Sequence, residues 1–153
     1  MDRRPALPKD LDGVADRLVE ADGPDAYRAF ETKQKVMMYA AALGYACDSR
    51  KKVERKAPGI RYDVFQGALD DGFINALAVA VTEDLNVLGE SRADERIEIF
   101  EEYAHAGLEI MRRLCFELEG DPVDALIRRA LEAQTTDSEI PGIDAGVLRN
   151  LLG

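Results

Sequence analysis

The sequence predicts a mainly α fold: a compact helical domain built around one long central helix at about 91–119. Three observations predict it. First, Ile97, Ala104, Met111 and Leu118 repeat every seven residues, with Phe100, Gly107 and Leu114 as a companion row, which is a bundle-like seam. Second, apolar residues elsewhere fall at helical spacing, as in Leu11, Val14, Leu18 and in Leu126, Ile127, Ala130, Leu131. Third, helix-start residues stand where those patterns begin: Thr32, Ser91 and the pair Asp121-Pro122. One exception is expected, a short two-stranded β element of 60–65 paired with 85–88.

In chain order, residues 1–9 are polar with two prolines and read as a flexible N-terminal arm. Asp10 to about Glu20 is a first helix despite Gly13, and Asp22-Gly23-Pro24-Asp25 a turn. From Val36 to Cys47 nearly every residue is apolar or small, so the helix begun at Thr32 is expected to be surrounded on most sides. Gly44 and then Asp48-Ser49 mark its end. Arg50–Lys56 has no apolar face and precedes Pro58-Gly59, which makes it a loop. Ile60, Tyr62 and Val64 alternate with Arg61, Asp63 and Phe65, the period of a half-buried strand. Asp70-Asp71 suits a helix N-terminus, and Leu85–Leu88 is the second strand candidate. On the central helix, Glu98, Glu101, Glu102 and Glu109 mark the side expected to face water. These elements give a single helical domain over 10–134. Residues 135–153 form a connector and a short C-terminal helix that docks Val147, Leu148, Leu151 and Leu152.

A chain of 153 residues with 46% apolar and 33% charged residues can bury a full core. It has no 18-residue apolar run, which excludes a helical membrane span. MDRRPALPKDLDG has no apolar core of a secretory signal. Cys47 and Cys115 make no disulfide framework and read as small buried hydrophobes of a cytoplasmic protein.

The net charge of -10 hides an asymmetry. Residues 1–61 hold 13 Lys+Arg against 10 Asp+Glu, and residues 62–153 hold 7 against 20, a net of +3 followed by -13. Arg50, Lys51, Lys52, Arg55, Lys56 and Arg61 cluster within 12 residues. A solvated loop neutralised by the chain's own acids is the plain reading of this cluster. The sharper one is a phosphate or acidic-protein contact, with Tyr45 and Tyr62 flanking it for stacking.

Patterns that would carry catalysis are weak. Glu102 and His105 have the E-x-x-H spacing of di-iron bundles, but His105 is the one histidine in the chain. A zinc site shared by His105 and Cys115 fails because ten residues of helix separate them by roughly 15 Å. Asp25, Glu31 and Lys33 have the residue types of a Mg²⁺-dependent nuclease, yet they run into a helix instead of adjacent strands. No catalytic residue, metal site or cofactor is expected.

The order and spacing of Phe30…MMYAAALGY, IRYDVF, INALAVAVTEDLNVL and DERIEIFEEYAHAGLEIM resemble the DNA phosphorothioation-associated (Dnd system-associated) protein four family, over about residues 10–118. The resemblance implies work beside machinery that replaces a phosphate oxygen of bacterial DNA by sulfur, or beside the restriction partners that use the mark in anti-phage defence. It carries over no catalytic residue. The expected function is a non-enzymatic accessory or adaptor protein that binds proteins of such a complex, and DNA where Arg50–Arg61 touches phosphate. Two alternatives stand beside it: a cryptic metal-dependent nuclease of the same system, and a small helical regulator that forms a homodimer through the 91–119 helix.

Overall fold

The structure, a computed structural model, describes residues 3–20, 29–117 and 122–136. These form α1 (Asp12–Val19), α2 (Lys33–Ala46), α3 (Tyr62–Gly67), α4 (Asp71–Thr82), α5 (Ala93–Arg112) and α6 (Pro122–Thr136). Two 3₁₀ turns, Leu85–Leu88 and Glu90–Arg92, lead into α5, and a π turn over Arg113–Glu117 extends it. The expected mainly helical fold with a long central helix is what is observed. The helix itself is divided into these 3₁₀, α and π parts.

α5 is central because it is buried on more than one side. Ile97, Phe100, Ala104, Leu108 and Met111 face α2 and the core, and Ile99 and Tyr103 widen that contact. α2 lies against α5 along its length. Val36, Met37, Ala40, Ala41 and Leu43 are its buried apolar residues, while Lys35, Ala42 and Tyr45 stay in water. Thr32 caps α2 as expected, its hydroxyl accepting from the Lys35 amide at 3.3 Å. Lys33 ties α2 to α1 through Asp12 (2.9 Å) and Asp16 (2.8 Å). α6 attaches through Tyr39, whose hydroxyl donates to the Leu126 carbonyl at 2.7 Å.

Gly44 does not end α2, which runs two residues further. It and Gly107 are packing residues. A Cβ on Gly44 would stand 2.2 Å from the Tyr103 carbonyl oxygen, and one on Gly107 would stand 1.7 Å from that of Ala40. The two helices therefore touch backbone to backbone, which only residues without a side chain permit. Of the heptad rows, Ile97, Phe100, Ala104, Gly107 and Met111 are buried within this one chain.

The expected β element is corrected at both ends. Residues 62–67 are helical, and the cause is visible in spacing: Tyr62 (5% exposed) and Phe65 (0%) are three apart and both buried, whereas Val64 is 44% exposed. Phe65 packs edge-on to Phe100 at 5.8 Å. Residues 85–88 form a 3₁₀ turn because the Asp84 carboxylate accepts from the Asn86 amide at 2.9 Å, a side-chain-to-backbone turn that competes with extension. Of that turn only Val87 is buried. The described residues contain no strand, only an isolated antiparallel bridge between Pro8 and Lys56.

The expected flexible arm at 1–9 is, over residues 3–9, a packed extended segment. Pro5, Ala6, Leu7 and Pro8 are buried. Its backbone pairs with the 55–62 segment: Ala57 N to Leu7 O (2.9 Å), Ile60 N to Pro5 O (2.9 Å), Tyr62 N to Arg3 O (3.0 Å) and Lys9 N to Arg55 O (2.8 Å). Pro5 lacks only a donor, so its carbonyl still accepts in this pairing, while the Pro8 carbonyl accepts from the Leu11 amide at 3.1 Å. Residues 21–28 and the C-terminal docking helix expected within 135–153 lie outside the described residues, apart from the end of α6.

Candidate functional site

The basic segment 50–61 crosses the face of α5 that carries Glu101, Glu102 and Glu109. Its backbone is fixed there by the Lys51 amide, which donates to the Glu102 carbonyl at 3.1 Å. His105 holds it from below: Nδ1 lies 2.9 Å from the Lys52 carbonyl oxygen. A carbonyl can only accept, so Nδ1 carries the proton. The expected E-x-x-H pair is thereby accounted for. Glu102 pairs with Arg50, and His105 is a buried support for the loop with Nε2 3.7 Å from Glu109.

Glu101 departs most from expectation. Placed on the wet side by sequence, it is 2% exposed. One carboxylate oxygen accepts from the Ala6 amide at 2.8 Å and the other faces Lys56 Nζ. It pins the N-terminal segment and the basic segment to one point of α5. Burial pushes its carboxyl above the usual glutamate range, with Lys56 and the Ala6 amide pulling it back down.

The six basic residues named from sequence divide sharply. Arg50 pairs with Glu102 and lies over the Tyr103 ring, with Cζ 5.8 Å from its centroid. Lys51 pairs with Glu109, Lys56 with Glu101 and Arg61 with Asp63. Each of these four is cancelled by a carboxylate at contact distance. Lys52 and Arg55 form no ion pair with any described residue, and both are exposed. Lys9, which sequence assigned to a loose arm, joins them. It too is exposed, without an ion pair to the described residues, and its amide is bonded to the Arg55 carbonyl. The three open on one cleft of about 670 Å³ lined also by Pro8, Asp10, Lys51, Glu54 and His105.

The expected stacking pair is absent from this cleft. Tyr62 is buried beside Phe65, and Tyr45 packs edge-on to Tyr103 at 5.7 Å. On the nuclease candidates, Lys33 is held by Asp12 and Asp16, Glu31 is exposed, and Asp25 lies outside the described residues. Of the cysteines, Cys115 is buried. Cys47 is half-buried and accepts from the Arg129 guanidinium at 2.9 Å, so it is not the buried hydrophobe expected.

Arg96 escaped sequence reading altogether. It is 7% exposed, and its guanidinium donates to the carbonyls of Val87 (2.6 Å) and Gly89 (2.8 Å), closing the two 3₁₀ turns onto α5. Nothing in the local sequence marks an arginine for burial. The described helices include none long and apolar enough to cross a membrane.

Comparison with curated proteins and with solved structures finds no match. A family model does match, over residues 4–141, which takes in the basic segment, all of α5 and α6. The chain belongs to the family of DNA sulphur modification system-associated protein 4.

Proposed function

We propose that this protein is a non-enzymatic accessory component of the DNA sulphur modification machinery, that it acts by docking, and that the cleft bearing Lys9, Lys52 and Arg55 is the docking face. The observation that supports this is selective neutralisation. Four of the six clustered cations are cancelled within the fold, and the remaining two are exposed beside a third, Lys9, delivered by the N-terminal segment. On a chain of net charge -10, a local positive cleft directs an anionic surface to one place. The segments that bear it are fixed from beneath by Glu101 and His105, so binding there pays little ordering entropy.

Co-purification from a bacterial host that carries the sulphur modification genes tests this. Components of that system should be retained by the wild-type chain and lost with Lys52→Glu/Arg55→Glu, whose circular dichroism stays helical. Retention of the same components by the variant would remove the cleft from the function.

A further inference from the structure

The cleft has a charge and a shape, and together they narrow what it takes. We infer that it is a phosphate-backbone site for duplex DNA, in which Lys9, Lys52 and Arg55 contact phosphates and no base is read. This rests on the docking reading above and names its ligand.

The three side chains are exposed cations without an ion pair to the described residues. Two come from one segment and one from another. The backbone bond from the Lys9 amide to the Arg55 carbonyl at 2.8 Å holds Lys9 beside Arg55. Exposed cations on two adjacent segments suit a repeating row of phosphates better than a single small anion, which calls for converging, buried donors. No Phe or Tyr lines the cleft, and the His105 ring at its wall is buried and held on the Lys52 carbonyl, so an unpaired base finds no open aromatic face to stack on. Single-stranded nucleic acid would gain charge contacts there and nothing else. A duplex offers about one phosphate charge per 1.7 Å of axis, the denser target for three clustered cations. Asp10 and Glu54 also line the cleft and are exposed, so they offset part of its attraction and leave the three cations in excess by one charge.

The test uses the full chain and a fluorescein-labelled 16-base-pair DNA duplex of arbitrary sequence, read by anisotropy between 50 and 300 mM KCl. The comparison is with Lys9→Gln/Lys52→Gln/Arg55→Gln. Each phosphate contact contributes about 0.9 to the slope of log affinity against log salt, so the wild-type slope should be steeper by about 2.7. Taking the difference removes the common repulsion from the acidic body. Affinity at 50 mM KCl should fall at least tenfold in the variant. Arg61→Gln, which removes a cation already cancelled by Asp63, should change neither quantity. A 16-nucleotide oligo-dT strand should bind more weakly than the duplex.

Equal slopes for wild type and the triple variant, absence of duplex binding at 50 mM KCl, or tighter binding of the single strand would each overturn the phosphate-backbone assignment. If duplex binding is absent while Lys52→Glu/Arg55→Glu still loses its co-purifying components, the ligand assignment falls and the docking reading stands. If that variant loses nothing, the docking reading falls as well.

Discussion

Gly107 and Ala40 meet backbone to backbone: a methyl group on Gly107 would lie 1.7 Å from the Ala40 carbonyl oxygen. No rotamer relieves such a clash, because the Cβ is fixed by the backbone. Gly107→Ala should therefore force α2 and α5 apart and cost about 1–3 kcal/mol or more, despite the better helix propensity of alanine. Gly13→Ala, on α1 with nothing within 4 Å of the added carbon, should be neutral or slightly stabilising. Thermal melts of the two variants check this. A Gly107→Ala protein that melts with the wild type would show that the helices do not touch as described.

Glu101 gives the protein a pH dependence of unusual sign. Burial holds its carboxyl above the ordinary value of 4.5, so the folded protein keeps that proton longer than the unfolded chain does. As pH rises through the window between the two values, the unfolded chain releases the proton first. This part of the stability is present at low pH, declines through that window and then levels. Asp84 and Asp94 act the other way. The Asn86 amide and Arg92 hold Asp84 below the ordinary range, and Arg3 does so for Asp94, so their contributions are lost as pH falls. The difference between wild type and Glu101→Gln isolates the first effect. In urea titrations from pH 4 to 8, Glu101→Gln should gain stability relative to wild type with rising pH. Parallel profiles would contradict a buried, proton-retaining Glu101.

Two arginines close together test whether exposure decides the worth of a contact. Arg96 donates to the Val87 and Gly89 carbonyls from a buried position, and Arg96→Met should cost about 1–3 kcal/mol. Arg92 pairs with Asp84 and Glu95 nearer the surface, where water screens the pairs, and Arg92→Met should cost less than Arg96→Met. Chemical denaturation measures both. A larger loss from Arg92→Met would reverse the ranking.

The cysteines should separate by reactivity. Burial pushes the Cys115 thiol up to about 11, while Cys47 is half-buried at the α2 terminus. Since the thiolate is the reactive form, a disulfide reagent at pH 8 should modify Cys47 first and leave Cys115 until the protein opens. Labelling of Cys115 at the rate of Cys47, read by peptide mass spectrometry, would count against its burial.

Local chemistry was readable where one segment supplies the whole signal. The Thr32 cap, the proline at the start of α6 and the long apolar rows of α5 all appear in the structure where sequence puts them. The 60–65 segment misled because six residues can satisfy a period of two and a period of three at once. Ile60, Tyr62 and Val64 fit the first, and Tyr62 and Phe65 fit the second. Burial of both rings against Phe100 and its neighbours decided for helix.

The sequence by itself determined the helical class, the central helix and the presence of a basic cluster, because periodicity, caps and charge counts are properties of neighbouring residues. Only the tertiary structure decided which of those charges remain. Lys56 meets Glu101 across 45 residues of chain, Arg50 meets Glu102 across 52, and Lys51 meets Glu109 across 58. Lys9 reaches the cleft only because a segment expected to be loose is bonded along 55–62. A charge is cancelled by whatever stands a few ångströms away, and that proximity is a property of the packed fold.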